Sequence, residues 1–176
     1  GSSAALIYEF VTAGGVVPIT AGSTVELPET PLGSTGSGVV RIRNNGTLEA
    51  RIGAAAVAGA AFRLADLPPL PVTIPPGGAI SFALQFTPQQ AGAASGTLIV
   101  GDFSVAVRGT GVGALLALAA RVGDNVTPLS SSGSFTFPNA TVGSVATAYI
   151  RITNSGNTVG AVNGISLSVP AFKFPT

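Results

Sequence analysis

The sequence predicts an all-β protein made of antiparallel β-sandwiches in tandem, the second of which is incomplete. Short segments of alternating apolar and polar residues are separated by turns rich in Gly, Pro and Asn, which is the pattern of strands. The stretch 39–46 recurs as 149–156, and self-similarity at this fixed offset of 110 residues indicates tandem domains. Only 9% of the residues are charged, which excludes a charged disordered chain. We predict one complete domain at residues 4–112 and the first part of a second at 113–176.

The first strands of repeat one follow from composition and spacing. Residues 6–11 form an apolar run with β-branched and aromatic members, which predicts a strand. Residues 16–19 are apolar and include Pro18, which lacks a backbone N–H, so we expect an edge strand there. Residues 24–27 alternate as a half-buried strand does.

The repeated stretch is predicted to be a half-buried strand. Val40 and Ile42 point to one face, while Arg41 points to the other. The Asn-Asn-Gly at 44–46 can adopt positive φ and is expected to turn the chain into an antiparallel return strand over residues 48–52.

The second half of repeat one holds the clearest alternation. The Ala- and Gly-rich residues 53–61 are predicted to be loop and short strand, and Phe62 a core anchor. Residues 97–100 and 103–107 predict a hairpin across Gly101-Asp102. Residues 79–86, which precede this hairpin, predict a strand with four apolar residues on one face: Ile80, Phe82, Leu84 and Phe86. Roughly seven to nine strands at this spacing fit a two-sheet sandwich.

Repeat two follows repeat one without a gap. Pro18 matches Pro128 and Phe62 matches Phe172, and the apolar run 114–120 is expected to be a buried first strand. Nothing corresponds to residues 67–110, so we expect an exposed apolar face and open strand edges. Either a neighbouring chain covers them, giving an oligomer or filament, or the sequence is an excerpt of a longer protein.

The motifs of repeat one resemble a known domain type. They are carried by Gly33, Ser34, Val40, Ile42, Asn44, Gly46, Phe62, Pro76, Gly77, Gly78, Phe86, Pro88, Gly92, Gly109, Thr110 and Gly111. The pattern resembles the ASPM-SPD-2-Hydin (ASH) type of immunoglobulin-like domain, bacterial copies of which occur as choice-of-anchor D repeats in secreted or surface proteins. The resemblance implies tandem immunoglobulin-like sandwiches with a structural or protein-binding role and no catalytic residues. The chain departs from the family in its Ala content and its incomplete second repeat.

The residue types argue against most chemistry. The chain has no Cys, which excludes thiol catalysis and zinc-thiolate sites. It has no His, which is the commonest catalytic base and metal ligand. Residues 109–114 look like a dinucleotide loop but open no helix, so we expect no cofactor. The carboxylates are too few and scattered for a convincing calcium site. No basic run indicates nucleic acid, and the run 114–120 is too short to span a bilayer.

We therefore expect a non-enzymatic structural module of an extracellular or cell-surface repeat protein, which associates with itself or with neighbouring repeats. The alternative is a module that binds a peptide by strand addition. No small-molecule substrate is expected. The candidate interface residues are Arg41, Arg151, Phe172 and Phe174; the two arginines either mark a repeated contact or are solvated strand-face charges.

Overall fold

A computed structural model describes residues 3–174 and divides the chain into two compact units, unit 1 (Gly1–Gly113) and unit 2 (Ala114–Thr176). All regular secondary structure in the described residues is β-strand, and most strand pairs are antiparallel, which confirms the all-β sandwich class. Within the same residues no helix is long and apolar enough to cross a bilayer.

Unit 1 is built from strands β1 to β12. In chain order they are β1 (Leu6–Thr12), β2 (Gly15–Ile19), β3 (Thr24–Glu26), β4 (Thr30–Pro31), β5 (Gly36–Asn44), β6 (Ala50–Ile52), β7 (Ala55–Ala58), β8 (Phe62–Ala65), β9 (Val72–Ile74), β10 (Ala79–Phe86), β11 (Gly92–Val100) and β12 (Phe103–Val112). One five-stranded sheet has the order β2-β1-β5-β10-β8. The other has the order β3-β12-β11-β7, with β4 also paired to β12, and β6 pairs with β9. β3 and β4 run parallel to β12.

The core of unit 1 lies between the two five-stranded sheets. Val40 and Ile42 of β5 are fully buried, as are Leu84 and Phe86 of β10. Apolar side chains at every second position of these strands point inward because successive residues of a strand face opposite sides. The predicted inner faces of both strands are therefore confirmed, and Phe62 is the buried anchor that the sequence predicts.

Two further predictions about unit 1 are confirmed. β2, which contains Pro18, is an edge strand. β11 and β12 form the predicted hairpin, in which Val100 faces Phe103 across a two-residue loop. Gly101 has a φ of 57°, which suits the first loop position of a type II′ turn.

The predicted partner of the return strand is wrong. Ala50–Ile52 forms β6, but it pairs with β9 and not with β5. Nor does the turn use positive φ, which no residue from 44 to 46 adopts. Gly46 is required for another reason: a Cβ there would lie 2.2 Å from the Ser3 carbonyl oxygen, so only glycine fits against that backbone.

Unit 2 contains strands β13 (Leu116–Val122), β14 (Asn125–Leu129) and β15 (Tyr149–Asn154), in the sheet order β14-β13-β15. Each strand pair repeats a pair of unit 1 at the 110-residue offset. Leu116 faces Asn154 as Leu6 faces Asn44.

β13 is the strand that the run 114–120 predicts, but its predicted burial is wrong. Leu116 and Leu118 are exposed, and only Ala120 of this strand is buried. The physical reason is that no second sheet packs on β13 within the described residues of unit 2, where β13, β14 and β15 are the strands present.

Candidate functional site

The two candidate arginines occupy equivalent places and differ in their partners. Arg41 lies on the outer face of β5, and its Nε donates to Oε2 of Glu9 at 2.7 Å. Arg151 lies at the same place on β15, where the facing residue is Ala119 instead of a glutamate. Arg151 has no ion-pair partner within residues 3–174. It is therefore the free cation of the two.

The candidate phenylalanines lie in unit 2, and Phe172 belongs to an aromatic cluster. Its ring centroid is 5.2 Å from that of Phe137, which in turn lies 5.2 Å from Phe135. Phe172 is 45% exposed, whereas its counterpart Phe62 is 7% exposed and stacks on Phe86. Phe174 is also exposed. The structure thus gives Phe172 aromatic neighbours but leaves its ring partly in solvent.

The inner face of β15 is uncovered. Ile150 occupies the place of the fully buried Val40 but is 43% exposed. Ile152 is half-buried, although its counterpart Ile42 is fully buried. Large apolar side chains left in water mark an interaction surface when they are contiguous on one face. This face and the free edge of β15 are together called the open edge of unit 2.

In unit 1 a buried asparagine at the end of β5 joins this strand to the neighbouring segments. Asn44 is fully buried, and its Oδ1 accepts from the backbone N–H groups of Ala5 (3.2 Å) and Gly46 (3.0 Å). Its Nδ2 donates to the carbonyl oxygens of Leu48 (2.8 Å) and Ile74 (2.9 Å). The oxygen accepts two hydrogen bonds and the nitrogen donates two, so the buried side-chain amide has no unsatisfied polar atom.

Asn154 repeats three of these four bonds. Its Oδ1 accepts from Leu115 N–H and Gly156 N–H, both at 3.0 Å, and its Nδ2 donates to Thr158 O at 2.8 Å. These partners match Ala5, Gly46 and Leu48 at the offset. The fourth bond in unit 1 goes to Ile74, whose counterpart would lie beyond residue 176, and Asn154 is exposed.

Sequence reasoning missed this asparagine as a structural centre, although a signal existed. Asn44 follows Val40 and Ile42 at the same period of two, so the alternation already places its side chain on the buried face. A polar residue on that face needs hydrogen-bond partners, and its recurrence as Asn154 indicates the same need in unit 2.

The two edges of the unit 2 sheet differ. β14 carries Pro128, which cannot donate a backbone hydrogen bond and so blunts that edge. β15 has no proline and combines β-branched residues with an apolar inner face. β15 is therefore the edge suited to accept another strand.

Two open surface depressions lie among the described residues of unit 1. One of them, about 390 Å³, is lined by Tyr8, Arg51, Asp102 and Phe103 among others. Tyr8 stacks on Phe103 with ring centroids 4.1 Å apart, and burial, followed by the negative charge of Asp102, raises the pKa of the Tyr8 phenol. No group of three or more acidic, His or Cys residues within residues 3–174 is placed to hold a metal ion.

Comparison with protein-family profiles and with curated proteins finds no match. Among solved structures, the chain is similar to the ASH/PapD-like domain of human CEP192 (PapD-like domain 7), with 16% sequence identity and a TM-score of 0.37 over 52% of this chain and 82% of that one. It is also similar to the secreted serine protease VesC from Vibrio cholerae, with 9% identity and a TM-score of 0.41 over 76% of this chain and 43% of that one. Likenesses this weak say nothing about activity or partners.

Proposed function

We propose that the chain is a non-enzymatic structural module of a secreted or cell-surface repeat protein, a stalk, fibre or matrix component that assembles through exposed strand edges. The observation that carries this proposal is the open edge of unit 2, where Ile150 and Asn154 are exposed at places that are fully buried in unit 1. An unpaired strand with an apolar face is a template for pairing with another chain.

The composition supports the same proposal. The chain lacks the His and Cys residues on which most protein nucleophiles and bases depend, and its charge is low. The motifs of unit 1 fit an ASH-type immunoglobulin-like repeat of the bacterial choice-of-anchor D kind, for which we propose an extracellular location. The proposed partners are further repeats or copies of this protein. Neither nucleic acid, a bilayer nor a small-molecule substrate is among them.

A second candidate function is peptide binding by strand addition, and one observation favours it. Asn154 holds three of the hydrogen bonds that Asn44 makes, so its amide is already oriented toward the place of the fourth partner. Such an oriented donor beside a free strand edge is suited to an extended peptide.

Sedimentation velocity over a concentration series tests assembly. We expect the wild-type chain to increase in mass with concentration and Ile152→Pro to remain monomeric, because proline removes an N–H from the free edge of β15. Val126→Pro is the matched control, since it makes the same change on β14, which already carries Pro128. A wild-type chain that is monomeric at every concentration would overturn assembly.

A further inference from the structure

Two of the seven asparagines in the chain are followed by glycine, at Asn45-Gly46 and at Asn163-Gly164. In such a dipeptide the backbone nitrogen of the glycine can attack the side-chain amide carbon of the asparagine. Glycine favours this attack because it has no Cβ to obstruct the approach and adopts the required backbone conformations freely. The attack also needs an accessible glycine N–H and a backbone that is able to move, so the surroundings of each dipeptide decide whether it reacts.

The Asn45-Gly46 dipeptide is held by hydrogen bonds. Gly46 N–H donates to Oδ1 of Asn44 at 3.0 Å, and Asn44 is fully buried. Asn45 N–H donates to Ala5 O at 2.8 Å. The nitrogen that would attack the Asn45 side chain is therefore bound to the side chain of another residue.

The same dipeptide is also packed against backbone. A Cβ on Gly46 would overlap the backbone of Ser3 and Ala5, so these two residues lie directly on Gly46. The next amide is held as well, since Thr47 N–H donates to Ser3 O at 2.9 Å. Gly46 N can reach the amide carbon of Asn45 only when this segment separates from the turn, so the dipeptide reacts only after local opening.

The Asn163-Gly164 dipeptide has neither restraint. It lies in residues 161–167, which form no strand, and both of its residues are exposed. Apart from the chain neighbours of Gly164, no atom lies within 4 Å of the place that a Cβ on Gly164 would occupy. Within residues 3–174 neither residue of the dipeptide has a hydrogen-bond partner. The Gly164 nitrogen is therefore accessible to solvent and to the Asn163 side chain.

Unit 1 shows that this place is exposed in a unit with two packed sheets as well. The residues equivalent to Asn163 and Gly164 at the 110-residue offset are Gly53 and Ala54, and both are exposed. The hydrogen bond that ties Ala54 to the β11–β12 hairpin uses its carbonyl oxygen, which accepts from Gly101 N–H at 2.9 Å. A second sheet on unit 2 would therefore leave the Asn163 side chain in solvent.

We propose that Asn163 is a site of spontaneous deamidation and isomerisation. Gly164 N loses its proton to a solvent base and bonds to Cγ of Asn163. The bond from Cγ to Nδ2 breaks, Nδ2 takes up a proton, and ammonia leaves. Water then opens the resulting succinimide at either carbonyl carbon, which gives aspartate or isoaspartate at position 163. This inference does not depend on the proposed function.

The reaction changes the charge and the backbone of unit 2. Eight basic and seven acidic residues give the chain a formal net charge of +1, and one added carboxylate makes it zero. Isoaspartate also inserts the side-chain carbon into the backbone between residues 163 and 164. Isoelectric focusing therefore separates the product from the unmodified chain, and Asn163→Asp supplies the standard for its charge.

The test follows the purified full chain at mildly alkaline pH, in water enriched in heavy oxygen. Digestion at acidic pH, which stops further reaction, and mass spectrometry then locate the conversion and the oxygen taken up from water. We expect conversion at Asn163 to be at least about tenfold faster than at Asn45, because Gly46 must first leave its hydrogen bond and its packed position. No conversion at Asn163, or equal rates at the two sites, overturns the inference.

Two controls separate the effect of the fold from the effect of the local sequence. In denaturant, where both dipeptides are free, Asn45 and Asn163 should convert at similar rates; an Asn45 that stays slow there would contradict the protection of Asn45 by the fold. Gly164→Ala should slow conversion at Asn163 by about tenfold and leave Asn45 unchanged, because the added Cβ obstructs the attack. An unchanged rate in Gly164→Ala would show that the Gly164 nitrogen is not the attacking group and would overturn the inference.

Discussion

Units 1 and 2 share a register but not a set of strands, and the difference follows from which strands have partners. β2 and β5 each pair with β1, and the counterparts β14 and β15 pair with β13 in the same register. β3, β4, β6, β7 and β8 pair with strands that begin after residue 71, and their counterparts in the described part of unit 2 are not strands. A strand sequence therefore becomes a strand here only where its partner is present, as expected for structure held by cross-strand contacts.

The length of β15 obeys the same rule within a single strand. β5 begins at Gly36, but residues 36–38 pair only with β10, and pairing with β1 covers residues 39–44. β15 spans Tyr149–Asn154, which is the counterpart of residues 39–44 alone. Covering the open edge should therefore lengthen β15 toward residue 146.

One tyrosine lies in each unit, which allows the two units to be followed separately. Tyr8 stacks on Phe103 in unit 1, and Tyr149 lies in β15. Tyrosine fluorescence in a Tyr149→Phe background reports unit 1, and in a Tyr8→Phe background it reports unit 2. Denaturant unfolding in these two backgrounds measures the stability of each unit.

The largest difference is expected for the repeated phenylalanine. Phe62→Ala should destabilise unit 1 by about 3–5 kcal/mol, because it empties a buried site stacked on Phe86. Phe172→Ala should cost unit 2 only about 1 kcal/mol, because that ring is half in solvent. Equal losses would show that Phe172 is as buried in solution as Phe62.

The repeated asparagine should show the next largest difference. Asn44→Ala removes four hydrogen bonds at a buried site and should cost unit 1 roughly 3 kcal/mol. Asn154→Ala should cost unit 2 less than about 1 kcal/mol, because water can replace the lost partners. Asn45→Ala, at an exposed neighbouring position, is the control and should change neither unit. A large loss in Asn154→Ala would mean that the edge is already covered.

The alternation in the sequence was enough to predict several strands of unit 1 and the inner faces of β5 and β10. The inner residues of β5 and β10 follow from the period of two, and the edge position of β2 follows from Pro18, because these properties depend on neighbours along the chain.

Strand pairing was less accessible from the sequence. Residues 48–52 have a strand pattern directly after a turn, yet β6 pairs with β9, because the choice of partner depends on burial across the whole sandwich. The parallel pairing of β3 with β12 was not predicted for the same reason. Of the candidate site, the sequence showed that residues 149–156 repeat residues 39–46, but the hydrogen bonds of Asn154 required coordinates.

The glycine beside Phe10 tests whether the two inner faces are packed to different sizes. Gly38→Ala should destabilise unit 1 by about 1–3 kcal/mol, because the new Cβ overlaps the Phe10 ring. In a Phe10→Ala background, which reproduces the alanine pair of unit 2, Gly38→Ala should cost nothing further. The double-mutant cycle measures this coupling, and additive losses would show that Gly38 is needed for some other reason.

The smallest difference concerns the outer faces. Glu9→Ala should cost unit 1 about 0.5 kcal/mol at low salt, since the pair with Arg41 is partly exposed, and nothing at high salt. Ala119→Glu should add a pair with Arg151 and stabilise unit 2 by a similar amount, measured by denaturant unfolding at two salt concentrations. If Ala119→Glu leaves the stability of unit 2 unchanged at both salt concentrations, Arg151 is a solvated strand-face charge.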